Sequence, residues 1–376
     1  MGVDNRMRAD SKRALPRCDP VNVGMPALER SQSEYAYFEF WPLWFFYTPV
    51  VCYWIYLGFR YRSFSLPMQV NPTIFLGGMI GESKSDILDQ FGGDQTPEIL
   101  TYRVFERSDQ PLDQQLAQVV GLASGAGFSM PFVLKPDLGC RGNGVSKIGS
   151  DDELIQYLST LEAGKRYIVQ KLARFTAEAG VLYQREPGTQ CGRVTSLTLK
   201  YRPYVVGDGV STVLVLLQAD PRTRKLLPIY KQTIADDLSR VLGVGEHLPL
   251  IFSGSHCRGA IFRNGNAHIT PALSRAIDVL MMKQPQFHYG RLDLKFKNLE
   301  ALMAGEHFDI VEINGVSSEA THIWDARTPL REVFATLFGQ YRTLFAYGAL
   351  IRRHQKPRWR TRTLLRLWFN SIFASR

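Results

Sequence analysis

A glycine-rich loop at Phe132–Val145, with the sequence FVLKPDLGCRGNGV, is the first part of the chain whose residue types suggest chemistry. An apolar run ends there in Lys-Pro, and because Pro136 cannot continue a central strand, Lys135 is predicted to stand at a strand end as a fixed positive charge. Glycines adopt positive φ readily, so backbone N–H groups of the loop can turn toward an anion. The layout predicts phosphate binding, with an ordinary glycine turn as the alternative. It is not a Walker A loop, because no Gly-Lys-Ser/Thr follows, and no kinase metal triplet lies downstream.

Two predicted strands further along the chain carry possible metal ligands. Side chains alternate along a strand, so each has its polar residues on one face: Arg291, Asp293 and Lys295 in Gly290–Phe296, Glu312 and Asn314 in Phe308–Asn314. If the strands pair, two carboxylates and one amide converge. Three hard oxygen ligands suit Mg2+ when nucleotide phosphates and water complete its shell. A solvated strand face with incidental ion pairs is the alternative.

In the order and spacing of these elements the sequence resembles the ATP-grasp superfamily, and within it the carboxylate–amine ligases of the D-alanine–D-alanine ligase-like and cyanophycin-synthetase-like kinds. KPD-x-G-x-R-G-x-G-V resembles their lysine–glycine loop, and YIVQKL at Tyr167–Leu172 resembles their adenine-hinge strand. The aspartate followed by Glu-x-Asn resembles their metal motif, and VVGDGVSTV at Val205–Val213 is similar to a cyanophycin-synthetase-like loop. The resemblance extends over roughly residues 80–330, and the combination is more specific than any single motif.

The resemblance implies a role for each matched residue. The nucleotide phosphates would contact Lys84 and Lys135, under a flap formed by Arg141, Gly142, Asn143 and Gly144. The adenine would contact Gln170, Lys171 and Leu172, and the ribose would contact Glu178. Mg2+, or Mn2+ in its place, falls on Asp293, Glu312 and Asn314. Arg258 and Arg291 are the candidate catalytic residues, and for Arg258 a surface arginine in a loop is an equally open alternative.

The reaction that the resemblance implies joins a carboxylate to an amine. ATP phosphorylates the carboxylate, and the amine then displaces phosphate from the acyl-phosphate, with positioning and charge neutralisation supplied by the protein. The segment GVSSEATHIWD after Asn314 departs from the D-alanine ligase pattern, so the reaction type carries over and the amino-acid substrate does not. An ATP-binding protein without ligase activity and an ATP-grasp small-molecule kinase are the alternatives.

Composition agrees with an enzyme of two or three subdomains in a reducing compartment. The 376 residues include five scattered cysteines without a Cys-x-x-Cys pair, which argues against a disulfide framework and a zinc site. The net charge is +10. Residues 342–376 hold many arginines, aromatic residues and leucines but no Asp or Glu, which favours an anionic membrane surface over nucleic acid as the partner.

The segment Phe40–Phe59 passes without a charge and is followed by Arg60 and Arg62. As a helix it would be about 30 Å long, the thickness of a bilayer core. Pro42 and Pro49, with many Trp and Tyr residues, leave three possibilities: a spanning helix, an interfacial or re-entrant anchor, and a core segment. We expect a membrane-associated protein with its catalytic region on the cytoplasmic face of the cell membrane.

The fold class predicted from these elements is α+β, an ATP-grasp fold with two α+β subdomains that clamp ATP, preceded by a hydrophobic membrane segment. The predicted domains follow in chain order: a disordered tail (1–33), the membrane segment (34–62), a small subdomain (63–127), the ATP-grasp domain (128–340) and a basic amphipathic segment (341–376).

Overall fold

The computed structural model describes residues 19–28, 35–139, 142–359, 361–363 and 366. Its α-helices are α1 (Leu43–Arg60), α2 (Lys84–Gln90), α3 (Leu112–Gly125), α4 (Asp151–Ser159), α5 (Val213–Ala219), α6 (Pro221–Lys225), α7 (Leu227–Thr233), α8 (Pro271–Met281), α9 (Leu299–Ala304) and α10 (Leu330–His354). Its strands are β1 (Tyr102–Glu106), β2 (Phe132–Pro136), β3 (Ser146–Ile148), β4 (Arg166–Lys171), β5 (Ala177–Gln184), β6 (Arg193–Tyr201), β7 (Tyr204–Val206), β8 (His247–Pro249), β9 (Ile261–Asn264), β10 (Tyr289–Phe296) and β11 (Phe308–Asn314). The mixture of helices and antiparallel sheets confirms the α+β class.

A four-stranded antiparallel sheet, in the order β1-β4-β2-β3, carries the glycine loop. The loop joins β2 to β3, which pair as a hairpin with Phe132 opposite Ile148. The apolar side chains of Phe132 and Leu134 pack with those of α3 and α4 into one core. β1, from the predicted 63–127 region, pairs with β4, so that region contributes a strand to this sheet.

A five-stranded antiparallel sheet follows, in the order β11-β10-β5-β6-β9. One face is apolar and packs under α8, with Val181, Leu197, Leu292 and Leu294 in the largest core cluster. Because side chains alternate, the charged residues in the middle of β5, β6 and β10 point to the opposite face. Residues 172–176 connect β4 of the first sheet to β5 of the second.

Part of the N-terminal tail differs from the prediction. Residues 19–28, predicted as disordered, are packed: Met25 lies in the main core, and the Asn22 side chain accepts a hydrogen bond from the backbone N–H of Arg202. The local reason is a turn in which Asp19 accepts hydrogen bonds from the N–H groups of Val21 and Asn22. The remainder of the predicted tail, residues 1–18 and 29–33, lies outside the described residues.

The predicted membrane segment forms α1, which begins after Pro42 and contains Pro49. Phe46, Val50 and Leu57 are buried, and ring contacts such as Trp54 to Phe345 join α1 to α10. Within the described part of the chain, no helix is sufficiently long and apolar for a membrane span. The apolar residues of α1 are divided between a face that packs against α10 and an exposed face. The prediction of a spanning helix is therefore not supported.

The predicted C-terminal segment is also divided differently. Its first residues, up to His354, are the second half of α10, with Leu344, Phe345 and Ile351 buried. The first part of the predicted segment 341–376 therefore belongs to the folded core. Residues 360, 364–365 and 367–376 lie outside the described residues.

Candidate functional site

The centre of the site is a pair of carboxylates on the polar face of the five-stranded sheet. β10 and β11 pair antiparallel, with Asp293 opposite Glu312 and Arg291 opposite Asn314. Residues directly opposite in such a pair have neighbouring side chains on one face. The structure thus brings together the three predicted metal ligands and one predicted catalytic arginine.

Asp293 is held in an ion-pair network. Arg291 donates from Nε and Nη2 to its two carboxylate oxygens at 2.9 and 3.1 Å, and Lys200 on β6 lies 2.9 Å from Oδ1. Burial by itself raises the pKa of Asp293, but Arg291 and Lys200 outweigh it and hold that pKa well below its usual range. Asp293 therefore remains a carboxylate at any physiological pH.

Gly180 on β5 makes this network possible, because β5 separates Lys200 from Asp293. A Cβ at Gly180 would lie 3.3 Å from each of three side-chain atoms, Cδ of Arg291, Oδ1 of Asp293 and Cε of Lys200. The absence of a side chain at this position opens the path along which the ammonium reaches the carboxylate.

Glu178, the predicted ribose-binding acid, lies on the same face one pair further along. Lys295 and Lys200 donate to its two oxygens at 2.7 and 3.3 Å, and the N–H of Gly254 donates at 3.2 Å. Burial opposes ionisation, but the charges of Lys295 and Lys200 lower the pKa of Glu178 to about 2. A carboxylate that accepts from these donors has a fixed orientation toward a neighbouring ligand.

Lys135 lies next to the last residue of β2, as predicted, and its side chain reaches β11 of the second sheet. Its ammonium donates to Oε1 of Gln170 at 2.8 Å and to the carbonyl of Val311 at 3.1 Å. Burial lowers its pKa to about 8, with the charge of Lys84 acting in the same direction and Glu312 opposing. The ammonium is therefore predominantly charged at neutral pH, and its deprotonation requires little free energy.

The base of the glycine loop is fixed by Asp137 and Lys84. The fully buried Asp137 carboxylate accepts from the hydroxyl of Ser83 at 2.8 Å and the N–H of Ser85 at 2.9 Å. The Lys84 ammonium donates to the carbonyls of Asp137 and Gly139, at 3.3 and 2.6 Å. Lys84 is thus bonded to the loop backbone in this structure, beside the place predicted for phosphate.

The flap over this base contains Gly142, Asn143 and Gly144, while Arg141 lies outside the described residues. Gly142 has a φ of +73°, which favours glycine. Arg258 donates from Nη1 to the carbonyl of Gly142 at 3.1 Å and from Nη2 to Oγ1 of Thr233 at 3.3 Å. The structure places Arg258 on the flap.

The predicted adenine hinge is the end of β4 and the connection that follows. Gln170 is buried, and its amide donates to the Val311 carbonyl at 3.3 Å, which links the hinge to β11. Lys171 is exposed, its N–H bonded to the Thr101 carbonyl at 2.9 Å, and Leu172 opens the connection between the sheets. A flat ligand inserted between the sheets would meet this backbone.

The donor set fits a hard divalent cation. Asp293 and Glu312 supply carboxylate oxygens and Asn314 an amide oxygen, and the buried Nδ2 of Asn314 has no hydrogen-bond partner. Among the described residues no group of three or more His, Cys, Asp or Glu side chains has the arrangement of a metal site. Cation binding would therefore rely on the amide and on the phosphates of a bound nucleotide.

Sequence reasoning missed two charged groups of the site. Lys200 is signalled by alternation, because Ser196, Thr198 and Lys200 form the polar side of a strand whose other side is apolar. Glu82 has no such signal. Burial raises its pKa and the charge of Glu312 adds to the effect, so the two carboxylates are neighbours although they are distant in sequence.

No family model matches the chain, and no curated protein is similar to it. Several solved structures are. A bifunctional glutathione synthetase from Pasteurella multocida is 14% identical over 68% of this chain and 35% of its own, with a TM-score of 0.34. The VanG D-Ala:D-Ser ligase from Enterococcus faecalis is 11% identical over 72% and 62%, with a TM-score of 0.39. A D-alanine–D-alanine ligase from Bacillus anthracis is 12% identical over 72% and 68%, with a TM-score of 0.40.

The chain spans less than two thirds of the length of the first two. All three TM-scores are below 0.5, so the function is inferred from the geometry of this chain alone.

Proposed function

We propose that the protein is an ATP-dependent carboxylate–amine ligase of the ATP-grasp type, acting through an acyl-phosphate. The observation that carries the proposal is the pairing of Asp293 with Glu312 on a sheet face that also holds Arg291 and Lys200, opposite a lysine-bearing glycine loop. Fixed cations beside two carboxylates suit a triphosphate with its counter-ion.

The nucleotide would lie between the two sheets. Its phosphates would meet Lys135 and the glycine flap, its adenine the backbone at Lys171 and Leu172, and its ribose the Glu178 carboxylate. Mg2+ bound with ATP would supply charge neutralisation at the phosphates, and Asp293, Glu312 and Asn314 would hold it.

The reaction has two balanced steps. A carboxylate oxygen of the substrate attacks the γ-phosphorus, the bond to the β–γ bridging oxygen breaks, and ADP leaves. The amine nitrogen then attacks the acyl carbon, loses a proton, and inorganic phosphate leaves with the electron pair of its bond to carbon. Lys135 and Arg291 neutralise charge that develops on the transferred phosphoryl group, while the flap excludes water from the acyl-phosphate.

A screen of carboxylic acids with hydroxylamine tests the proposal, because hydroxylamine converts an acyl-phosphate to a hydroxamate. We expect Mg2+-dependent ADP release with hydroxamate formation for at least one acid, and an amide when the amine is supplied. ATP binding without ADP release for any acid would instead favour a binding protein. A phosphorylated product that forms neither hydroxamate nor amide would favour a kinase.

A further inference from the structure

An exposed aromatic strip runs along the outer face of α1. Its residues are apolar and more than one third exposed: Leu43, Trp44, Phe45, Val51, Ile55, Tyr56 and Phe59. Trp44 and Phe59, at opposite ends, are 75% and 70% exposed. The helix has 18 residues and so is about 27 Å long. An exposed apolar strip of this length is rare unless a partner covers it.

The strip ends in a cluster of cations. α1 and α10 run side by side in the same direction, since Phe46 contacts Phe334 near their starts and Trp54 contacts Phe345 further along. Both helices finish in arginines at one end, and Arg352 donates to the carbonyl of Tyr61 at 3.2 Å. We call this the basic end, formed by Arg60, Arg62, Arg352, Arg353, Lys356 and Arg358.

A cavity of about 410 Å3 opens at the basic end. Arg352, Lys356 and Arg358 line it, and its other lining residues are uncharged. The sequence from 40 to 81 contains no Asp or Glu, and neither does that from 342 to 376. The strip and the basic end therefore form one surface that is apolar along its length and cationic at one end.

We propose that this surface lies on an anionic lipid bilayer, with α1 parallel to the membrane plane and the basic end against the lipid phosphates. Trp and Tyr favour the interfacial region, and amphipathic helices with cationic flanks bind anionic headgroups. A soluble protein partner would need acidic groups matched to one end only, whereas a bilayer offers apolar and anionic layers together. The arrangement would hold the proposed nucleotide site at the membrane through α1, and this consequence rests on the proposed function.

Vesicle co-sedimentation of the full chain tests the proposal, with vesicles of phosphatidylcholine alone and of phosphatidylcholine with about one third phosphatidylglycerol. We expect the protein to bind the anionic vesicles about tenfold more strongly than the neutral ones. Binding to the anionic vesicles should fall with added salt. The double variant Trp44→Ser/Phe59→Ser should lose about tenfold or more in partitioning. Val210→Ser/Val244→Ser is the matched control, since these valines are 82% and 85% exposed elsewhere, and it should bind as the wild type does.

Charge is tested in parallel. Arg60→Glu/Arg62→Glu should weaken binding to anionic vesicles alone, whereas Arg275→Glu/Lys297→Glu, exposed cations outside α1 and α10, should not. An unchanged unfolding temperature of Trp44→Ser/Phe59→Ser excludes misfolding as the cause. Equal partitioning of that variant and the wild type would overturn the proposal. So would a wild-type dimer that Trp44→Ser dissociates, because a second copy would then cover the strip.

Discussion

The two faces of the five-stranded sheet are made by the same strands, yet they differ in burial and in chemistry. On one face Leu292 and Leu294 are fully buried in the apolar cluster under α8. On the other, Arg291, Asp293 and Lys295 alternate with them and join Lys200 and Glu178 in ion pairs. A buried charged layer stabilises a fold weakly, because desolvation offsets the Coulomb attraction. The contrast indicates that the apolar face serves stability and the charged face serves a ligand.

The sharpest separation of the two faces comes from Glu312→Gln. The Glu312 side chain has no ion pair within the described residues, so the substitution should leave the unfolding temperature nearly unchanged. It removes a carboxylate from the predicted cation set, and Mg2+-dependent turnover should fall by about a thousandfold or more. Glu306→Gln, at an exposed position before β11, is the matched control and should keep full activity. Retained turnover in Glu312→Gln would remove the metal assignment.

The opposite pattern is expected from Leu294→Ala on the apolar face. The side chain is fully buried, so its truncation leaves a cavity and should lower the free energy of unfolding by about 2–5 kcal/mol. Denaturant titration measures this change. The affinity of the remaining folded protein for Mg-ATP should match that of the wild type, and a weakened affinity would mean that the two faces are coupled.

Lys135 allows the role of the charged site to be tested by changing the pH. Its folded pKa, near 8, is below the usual lysine value, so it is charged below about pH 8 and loses its charge above it. Affinity for Mg-ATP should therefore fall as pH rises through about 8, by up to about tenfold per unit. The effect of Lys135 on the stability of the ligand-free protein has the opposite sign. Because its pKa is lower in the folded than in the unfolded chain, the free energy of unfolding rises as the pH rises above about 8.

Lys135→Arg is the control for this titration, because arginine keeps its charge. Its Mg-ATP affinity should be flat across the interval in which that of the wild type declines. A wild-type affinity that is independent of pH between about pH 7 and about pH 9 would place Lys135 away from the phosphates.

The smallest effect is expected from Gly180→Ala. The added methyl group would approach Arg291, Asp293 and Lys200 at 3.3 Å each and displace them by a few tenths of an ångström. Turnover should fall by about tenfold with little change in stability, since the misplacement concerns the charged face alone. A loss of stability as large as that of Leu294→Ala would show that the charged layer is structural.

The parts of this structure that could be predicted from sequence are those that follow from the alternation of side chains along a strand. Strand β11 has the predicted bounds, and the convergence of Asp293, Glu312 and Asn314 follows from alternation on two strands that pair. Lys200 follows the same rule. The electrostatic effect of Glu312 on Glu82 and the contact of Arg258 with the flap depend on the tertiary arrangement of loops, for which no local pattern exists.

The membrane segment shows the limit of reading one stretch by itself. Its length and lack of charge allowed a spanning helix as well as an interfacial anchor or a core segment, but α10, from the far end of the sequence, covers Phe46 and Val50. A hydropathy count treats those side chains as available to lipid, although they are part of the protein core. What remains exposed is a strip, which fits a membrane surface and not its interior.

Thermal unfolding of the wild type and Glu312→Ala, each with Mg-ATP, with ATP and a chelator, and without ligand, tests the central claim most directly. At about one hundred times its dissociation constant a ligand stabilises a protein by about 2.7 kcal/mol. We predict a clear rise in the wild-type unfolding temperature with Mg-ATP that is reduced by the chelator and reduced or lost in Glu312→Ala. No rise at millimolar Mg-ATP, or an equal rise in both proteins, would contradict the assignment of the charged sheet face to a metal-assisted nucleotide site.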